Sequence, residues 1–269
     1  MKMLRSTGDF KEEAPKMKGK FAHPENADQI LTKDTMVFAP DGNVAAVFLR
    51  NIIPAFLHLR AYELLKPVNG LVSNRATAMG TSSLARSVNK DGVPSPQRGV
   101  NENVLSVSPA RQALLGWDRP DHQTTLTREH PEMIDGNRAF IELADSLYAK
   151  YLPEFYAKQL AVVEKVPWRL LRTVFTMLYV AKNFRTAYHR DGNLKGAMTA
   201  ITPLGNFSGG DLVLLRWRTR IPYKPGDLLL FDAEELHGNL PFEGERLSVA
   251  LYCSRHIADF SKRMISRDC

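Results

Sequence analysis

The chain has 269 residues, 44% of them hydrophobic and 24% charged, a globular composition long enough to bury a core without covalent staples. Two cysteines, Cys253 in an apolar run and Cys269 at the last position, exclude a disulfide framework and a cysteine-based zinc site, so a reducing compartment is expected. The formal net charge of +7 favours polyanionic partners, since phosphate contacts release counterions; a merely basic surface is the alternative.

The first 35 residues are polar and lysine-rich and read as a basic arm. They lack the apolar core of a signal peptide. Residues 36–49 (MVFAPDGNVAAVFL) predict two strands around the turn Pro40-Asp41-Gly42,. The most apolar stretch, Val44 to Leu59, is broken by Arg50, Asn51 and Pro54, too short and too polar to span a bilayer. A soluble, cytoplasmic protein without a membrane partner is expected. Pro54 opens a predicted helix with two possible buried stripes, Phe56 with Leu59, or Leu57, Tyr62 and Leu65,.

Residues 73–103 carry few large apolar side chains, many turn formers and the cations Arg75, Arg86, Lys90 and Arg98. Structureless loops of this length are usually functional or disordered, and this one is read as a substrate-side loop. Apolar spacing then predicts one helix over about 139–151 and another from Pro153,. From 174 to 255 the texture becomes short β-rich runs separated by Gly, Pro and Asp. Such runs predict a sandwich or barrel. The fold class is therefore α+β, with a helical N-terminal half supporting a C-terminal β-roll and a single domain over 36–269.

The chemistry centres on His189-Arg190-Asp191 and, on a later strand, His237. Residues i and i+2 of an extended segment point the same way, so His189 and Asp191 can reach one metal ion. Two imidazoles and a carboxylate on one octahedral face are the ligand set of non-haem iron(II) oxygenases. With seven histidines and 29 acidic residues, chance supplies roughly 0.7 His-x-acid tripeptides, so the tripeptide alone is a weak signal. His23-Pro24-Glu25 is such a decoy, lying in the polar arm without flanking strands. His189 and Asp191 instead sit among predicted strands, followed by the turns Gly209-Gly210-Asp211-Leu212 and Pro225-Gly226-Asp227-Leu228. Beyond His237, Arg246 and Ser248 share one strand face, and a buried arginine offers a planar fork to a terminal carboxylate.

Over 174–255 these motifs resemble the double-stranded β-helix (jelly-roll, cupin-like) oxygenases that use Fe(II), 2-oxoglutarate and O2. The resemblance implies that His189, Asp191 and His237 bind the metal and that Arg246 binds the cosubstrate, with Ser248 assisting and Tyr179 within reach. It also implies decarboxylation of 2-oxoglutarate to succinate with hydroxylation of an unactivated C–H bond. Further segments, Ser73 to Gly80, Ser108 to Arg111, Gly116 to Arg119, Leu152 to Tyr156 and Asn183 to His189, are similar to the TET/JBP branch, whose members oxidise the 5-methyl group of pyrimidines in DNA.

A methyl group inside a duplex lies beyond a buried metal, so the base must be flipped out. Cationic surface for phosphates is expected on the hairpin strand bearing Arg216, Arg218 and Arg220, with Lys224, and on the loop bearing Arg75 and Arg86. Asn183, Arg190 and Asn193, next to the metal motif, are further substrate-contact candidates. The alternatives are an AlkB-like demethylase of nucleic acid, disfavoured by Tyr252 where a second arginine is expected, and a hydroxylase of a protein or small molecule.

Overall fold

The computed structural model describes residues 1–6, 9–67, 71–72, 101–106, 130–165 and 169–255. In chain order the strands and helices are β1 (Lys2–Arg5), α1 (Ala14–Met17), β2 (Gln29–Ile30), β3 (Thr35–Phe38), β4 (Val44–Leu49), α2 (Ala55–Leu65), β5 (Leu71–Val72) and β6 (Asn101–Ser106). There follow α3 (Pro131–Gly136), α4 (Arg138–Tyr151), α5 (Pro153–Val163), β7 (Met177–Lys182), β8 (Thr199–Gly209), β9 (Leu212–Leu214), β10 (Thr219–Ile221), β11 (Leu228–Phe231), β12 (His237–Asn239) and β13 (Phe242–Tyr252). The strands form a larger sheet, in the order β1-β3-β4-β11-β8-β13-β7-β6-β5, and a smaller one, β12-β9-β10-β2. The two sheets face each other as a jelly roll, in line with the α+β, β-helix expectation.

Strand alternation sorts the side chains into two cores. On the outer face of the larger sheet, Val47, Leu49, Val180, Ala200, Leu204, Leu228, Leu230, Leu247 and Val249 pack against α2, α4 and α5 through Leu65, Ile141, Leu147 and Val163. On the inner face, Phe48, Ile201, Leu229, Phe231 and Ala250 meet Leu212, Leu214, Trp217, Ile221 and Tyr223 of the smaller-sheet side. The run Leu228–Phe231 is apolar throughout because β11 is covered on both faces. Pro203 lies within β8 beyond the end of its pairing with β11, which stops at Ile201, and stands in register with Ser248 of β13.

The structure chooses the second stripe of α2. Ala61 and Leu65 are buried, whereas Phe56 and Leu59 are 70% and 57% exposed. The segment read as a basic arm is woven into the sheets: β1 runs parallel to β3 and β2 parallel to β10. Between them Ala14 and Ala22 cover Tyr188, Val213, Leu215, Leu236 and Leu240 on the outside of the smaller sheet. The expected loop over 73–103 is described only from 101 on, where Asn101–Ser106 is strand paired with β7 and not loop. Among the described residues no helix is long and apolar enough to cross a membrane.

Candidate functional site

His189 and His237 are cross-strand neighbours: the His189 N–H donates to the His237 carbonyl at 3.0 Å and the His237 N–H returns the bond at 3.1 Å. Both side chains are buried, their rings 4.3 Å apart between centroids. In each ring Nδ1 lies against the carbonyl two residues back in the chain, Ala187 at 2.8 Å and Glu235 at 2.9 Å. A carbonyl only accepts, so Nδ1 carries the proton and Nε2 keeps its lone pair. Asp191, held by its N–H to the Ala233 carbonyl, places Oδ1 3.5 Å from His189 Nε2 and Oδ2 3.7 Å from His237 Nε2. The three ligand atoms lie within 4.8 Å of one another. Two neutral imidazole nitrogens and one carboxylate converging from fixed backbone fit Fe(II).

The close crossing that makes this pair needs a glycine. A Cβ built on Gly238 would sit 3.1 Å from the Tyr188 backbone nitrogen and 3.2 Å from the Ala187 carbonyl carbon. A side chain there would push the His189 segment away from His237.

Deeper in the barrel stands Arg246, only 1% exposed. Its guanidinium carbon lies 5.4–5.5 Å from the ring centres of Phe207, Tyr223 and Phe242, and one terminal nitrogen, Nη2, donates to the Tyr223 hydroxyl. Its Nε has no hydrogen-bond partner, and no carboxylate pairs with it among the described residues. A buried cation without a counter-charge is costly, so the arrangement fits an anionic ligand. The space beside it depends on Gly210, at φ +73°, where an added Cβ would lie 3.3 Å from Arg246 Nε. Strand register puts Ser248, paired to Ala181 and Pro203, and Tyr179, paired to Ala250, on the same inward face as Arg246,. The metal-ligand triad and this cation therefore share one interior.

The expected phosphate-binding hairpin is not what the structure contains. Residues 215–218 form a turn, with Arg218 at φ +44° and Trp217 buried, so Arg216 and Arg218 do not share a strand face with Arg220. Each is engaged within the chain. Arg216 pairs with Asp9 at 2.8 Å and with Glu235, Arg218 with Asp28 and the Glu25 carbonyl, and Arg220 with Asp211. Arg216 and Arg218 fasten the N-terminal segment across the smaller sheet, while Arg220 joins β10 to the start of β9.

Asn183, at φ +51°, accepts from the Arg246 N–H through Oδ1 and donates its own N–H to the Arg246 carbonyl, both at 2.8 Å. It extends the β7–β13 ladder and fixes the backbone of Arg246. Asn193 is buried, its Nδ2 donating to Thr199 Oγ1 at 2.7 Å. Arg190 is exposed beside the ligands. Arg75 and Arg86 lie outside the described residues, as do the segments 73–80, 108–111 and 116–119. His23-Pro24-Glu25 opens a short 3-10 turn, and the triad is the metal-type cluster found among the described residues. Sequence reading missed Tyr223 and Asn239, which join Arg246 to the metal-bearing strands. Their one available signal was position: Asn239 stands two residues after His237, and Tyr223 precedes the Pro-Gly-Asp turn.

Residues 118–255 match the Tet/JBP family model, described as the oxygenase domain of the 2OGFeDO superfamily. The bifunctional helicase and thymine dioxygenase JBP2 of Trypanosoma brucei brucei is 30% identical over 234 residues, covering 84% of this chain and 20% of that protein. Thymine dioxygenase JBP1-A of Trypanosoma cruzi is 26% identical over 227 residues, 81% of this chain and 24% of that one. The chain thus spans about a fifth of the JBP2 protein and about a quarter of JBP1-A. Among solved structures, NgTET1 in complex with 5mC DNA superposes with a TM-score of 0.56 at 13% identity, over 89% of this chain and 81% of that one. That likeness is one of fold.

Proposed function

This chain belongs to the Tet/JBP family of 2OGFeDO-superfamily oxygenases, and on that premise we propose that it hydroxylates the 5-methyl group of a pyrimidine in DNA, thymine or 5-methylcytosine. One observation carries the reading: the triad His189, Asp191 and His237 and the buried, uncompensated Arg246 line the same barrel interior. In it, His189 Nε2, His237 Nε2 and the Asp191 carboxylate hold Fe(II), and Arg246 receives the far carboxylate of 2-oxoglutarate, with Ser248 and Tyr179 alongside. Fe(II) with 2-oxoglutarate and O2, when bound, supplies the oxidation of an unactivated C–H bond coupled to release of succinate and carbon dioxide.

The chain's own part is orientation and exclusion of water. The carbonyls of Ala187 and Glu235 fix each imidazole's tautomer and direction before any ligand arrives,. Phe231, whose ring meets His237 edge-on at 5.0 Å, and the inner core wall the site against bulk solvent. Asn183 holds the Arg246 backbone, so the guanidinium is placed without rearrangement,.

The DNA substrate is supported by the relatives, named as thymine dioxygenases; with both histidines buried, a base in a duplex would have to be flipped out to reach the site. Because Arg216, Arg218 and Arg220 are paired internally, phosphate contacts fall to exposed cations such as Arg190, and to Arg75 and Arg86. A reducing, cytoplasmic setting belongs to this reading. The test is nucleoside mass spectrometry after incubation with Fe(II), 2-oxoglutarate and DNA with or without 5-methylcytosine. A 5-hydroxymethyl product is expected from one of the two bases. Formaldehyde release from N-methylated DNA points instead to an AlkB-like demethylase, and succinate formation driven only by a peptide or metabolite points to a different hydroxylase.

A further inference from the structure

Between the metal-bearing strands and Arg246 runs a buried polar connection. Tyr223, 1% exposed, sits on the segment linking β10 to β11 with its ring in the inner core. Its oxygen accepts from Arg246 Nη2 and, at 3.4 Å, from Asn239 Nδ2. Asn239 lies on β12 and, by alternation, points to the same side as His237. The Asn239 side chain also donates to the Gly210 carbonyl at 3.0 Å and accepts from Thr186 Oγ1 at 2.6 Å, while its backbone N–H donates to the Thr186 carbonyl at 2.9 Å. Thr186 stands just ahead of His189 on the other metal-bearing segment. Tyr223 is thus tied to both segments and to the cation.

The hydrogen-bond count at Tyr223 is informative. A phenol offers two acceptor lone pairs and one donor. Arg246 and Asn239 occupy the acceptor side, and the hydroxyl hydrogen has no acceptor among the described residues. Arg246 Nε–H is likewise without a partner. Two donors, one of them cationic, are therefore held side by side in a buried interior without an anion from the protein itself. Buried donors left unmade are costly, and a carboxylate satisfies both.

We propose that Tyr223 is a second binding residue for the far carboxylate of the cosubstrate, its hydroxyl donating to that carboxylate beside Arg246 Nε while its oxygen restrains the guanidinium. Asn239 is a positioning residue that fixes Tyr223 relative to the metal-bearing strands. The inference rests on the 2-oxoglutarate reading above and goes beyond it, since Arg246 and Ser248 alone suffice for that reading.

Tyr223→Phe keeps the ring stacked near Arg246 and removes only the hydroxyl. Calorimetric titration of the metal-loaded protein with 2-oxoglutarate should show dissociation constants about ten- to hundredfold higher than wild type, as for loss of a hydrogen bond to a charged group. Glutarate, which has the same far carboxylate but no 2-oxo group, should lose affinity by a similar factor. Metal affinity should be unchanged. Tyr223→Phe and Arg246→Lys should be strongly non-additive in a double-mutant cycle. Incorporating 3-fluorotyrosine at position 223 preserves shape and strengthens the hydroxyl as a donor while weakening it as an acceptor. Tighter 2-oxoglutarate binding is expected, and unchanged or weaker binding overturns the donor role. Wild-type and Tyr223→Phe proteins binding 2-oxoglutarate equally would remove Tyr223 from the seat and leave the cosubstrate reading standing. A metal-loaded wild-type protein that does not bind 2-oxoglutarate at all overturns both.

Discussion

His189 and His237 exchange both backbone hydrogen bonds, at 3.0 and 3.1 Å, so the main chain fixes the relative position of the two ligand residues. That arrangement explains how two residues from distant parts of the chain can stand ready without a metal to gather them. It also separates ligand loss from fold loss.

Replacing His189 or His237 with Ala should leave the ladder intact, because the backbone bonds remain, and lower the melting temperature of the metal-free protein only by the lost ring packing and the unpaired Ala187 or Glu235 carbonyl,. Metal affinity should fall by more than the roughly 10–100-fold that loss of an outer-shell partner brings. Titration with Fe(II) under anaerobic conditions, or with Mn(II), followed by the rise in melting temperature, measures this. A His237→Ala protein that still gains stability from metal would disprove the assignment of the triad.

Arg246 makes a second prediction, in which stability and binding separate. Removing one partner of a buried charge-assisted pair costs about 2–5 kcal/mol of binding, so Arg246→Ala should lose 2-oxoglutarate affinity by that amount. Arg246→Lys should recover only part, since an ammonium cannot present the planar fork. The ligand-free Arg246→Ala protein should be no less stable than wild type beyond the cavity cost, because an uncompensated buried charge has been removed. Calorimetry and thermal melts on the same samples report the two effects. Equal cosubstrate affinity in all three proteins would move the anchor elsewhere.

The site's ligands were legible because they are local: His189 and Asp191 share a strand face by spacing, and the Pro-Gly-Asp turn announces the strand before His237. Arg246 was legible for a similar reason, standing shortly after His237 and sharing a strand face with Ser248. Arg216 and Arg218 were misread because their partners, Asp9 and Asp28, lie about two hundred residues away in the chain. No local pattern encodes such a pairing. Phe56 and Leu59 were indistinguishable from Leu57 and Leu65 until a sheet stood beside one of the two stripes. Tyr223 and Asn239 escaped because a tyrosine and an asparagine in short strands look like ordinary barrel residues until Arg246 is placed between them.

Cys253 supplies a pH prediction. Burial pushes its thiol from 9.0 up to about 12. The unfolded thiol ionises first as pH rises, so the folded state holds its proton longer and loses stability with rising pH from about 9 towards 12. Cys253→Ala should flatten this alkaline slope in denaturant melts. In a Cys269→Ser background, iodoacetamide at pH 8.5 should modify the native protein far more slowly than the urea-unfolded one. Equal rates would place Cys253 at the surface.

The ion pairs that replace the expected phosphate-binding hairpin give the last prediction. Arg216 holds the Asp9 carboxyl below its usual range and Arg218 does the same for Asp28, so both pairs are charged at neutral pH. The segment they fasten carries exposed Lys16, Lys18 and Lys20, each a trypsin site, and hydrogen-bonds Tyr188 through Gly19 and Lys20. Arg218→Gln should therefore speed tryptic nicking at these lysines several-fold, and high salt should do the same to wild type, since exposed pairs are screened. DNA binding should respond differently from the way a phosphate contact would. Losing a contact flattens the log–log salt dependence by about 0.9 per phosphate, whereas a guanidinium already neutralised by Asp28 has little to release. The Arg218→Gln slope should thus stay within about 0.3 of wild type, while Arg190→Gln reduces it by nearly a full unit. A full-unit drop for Arg218→Gln with unchanged nicking would return that arginine to the DNA surface.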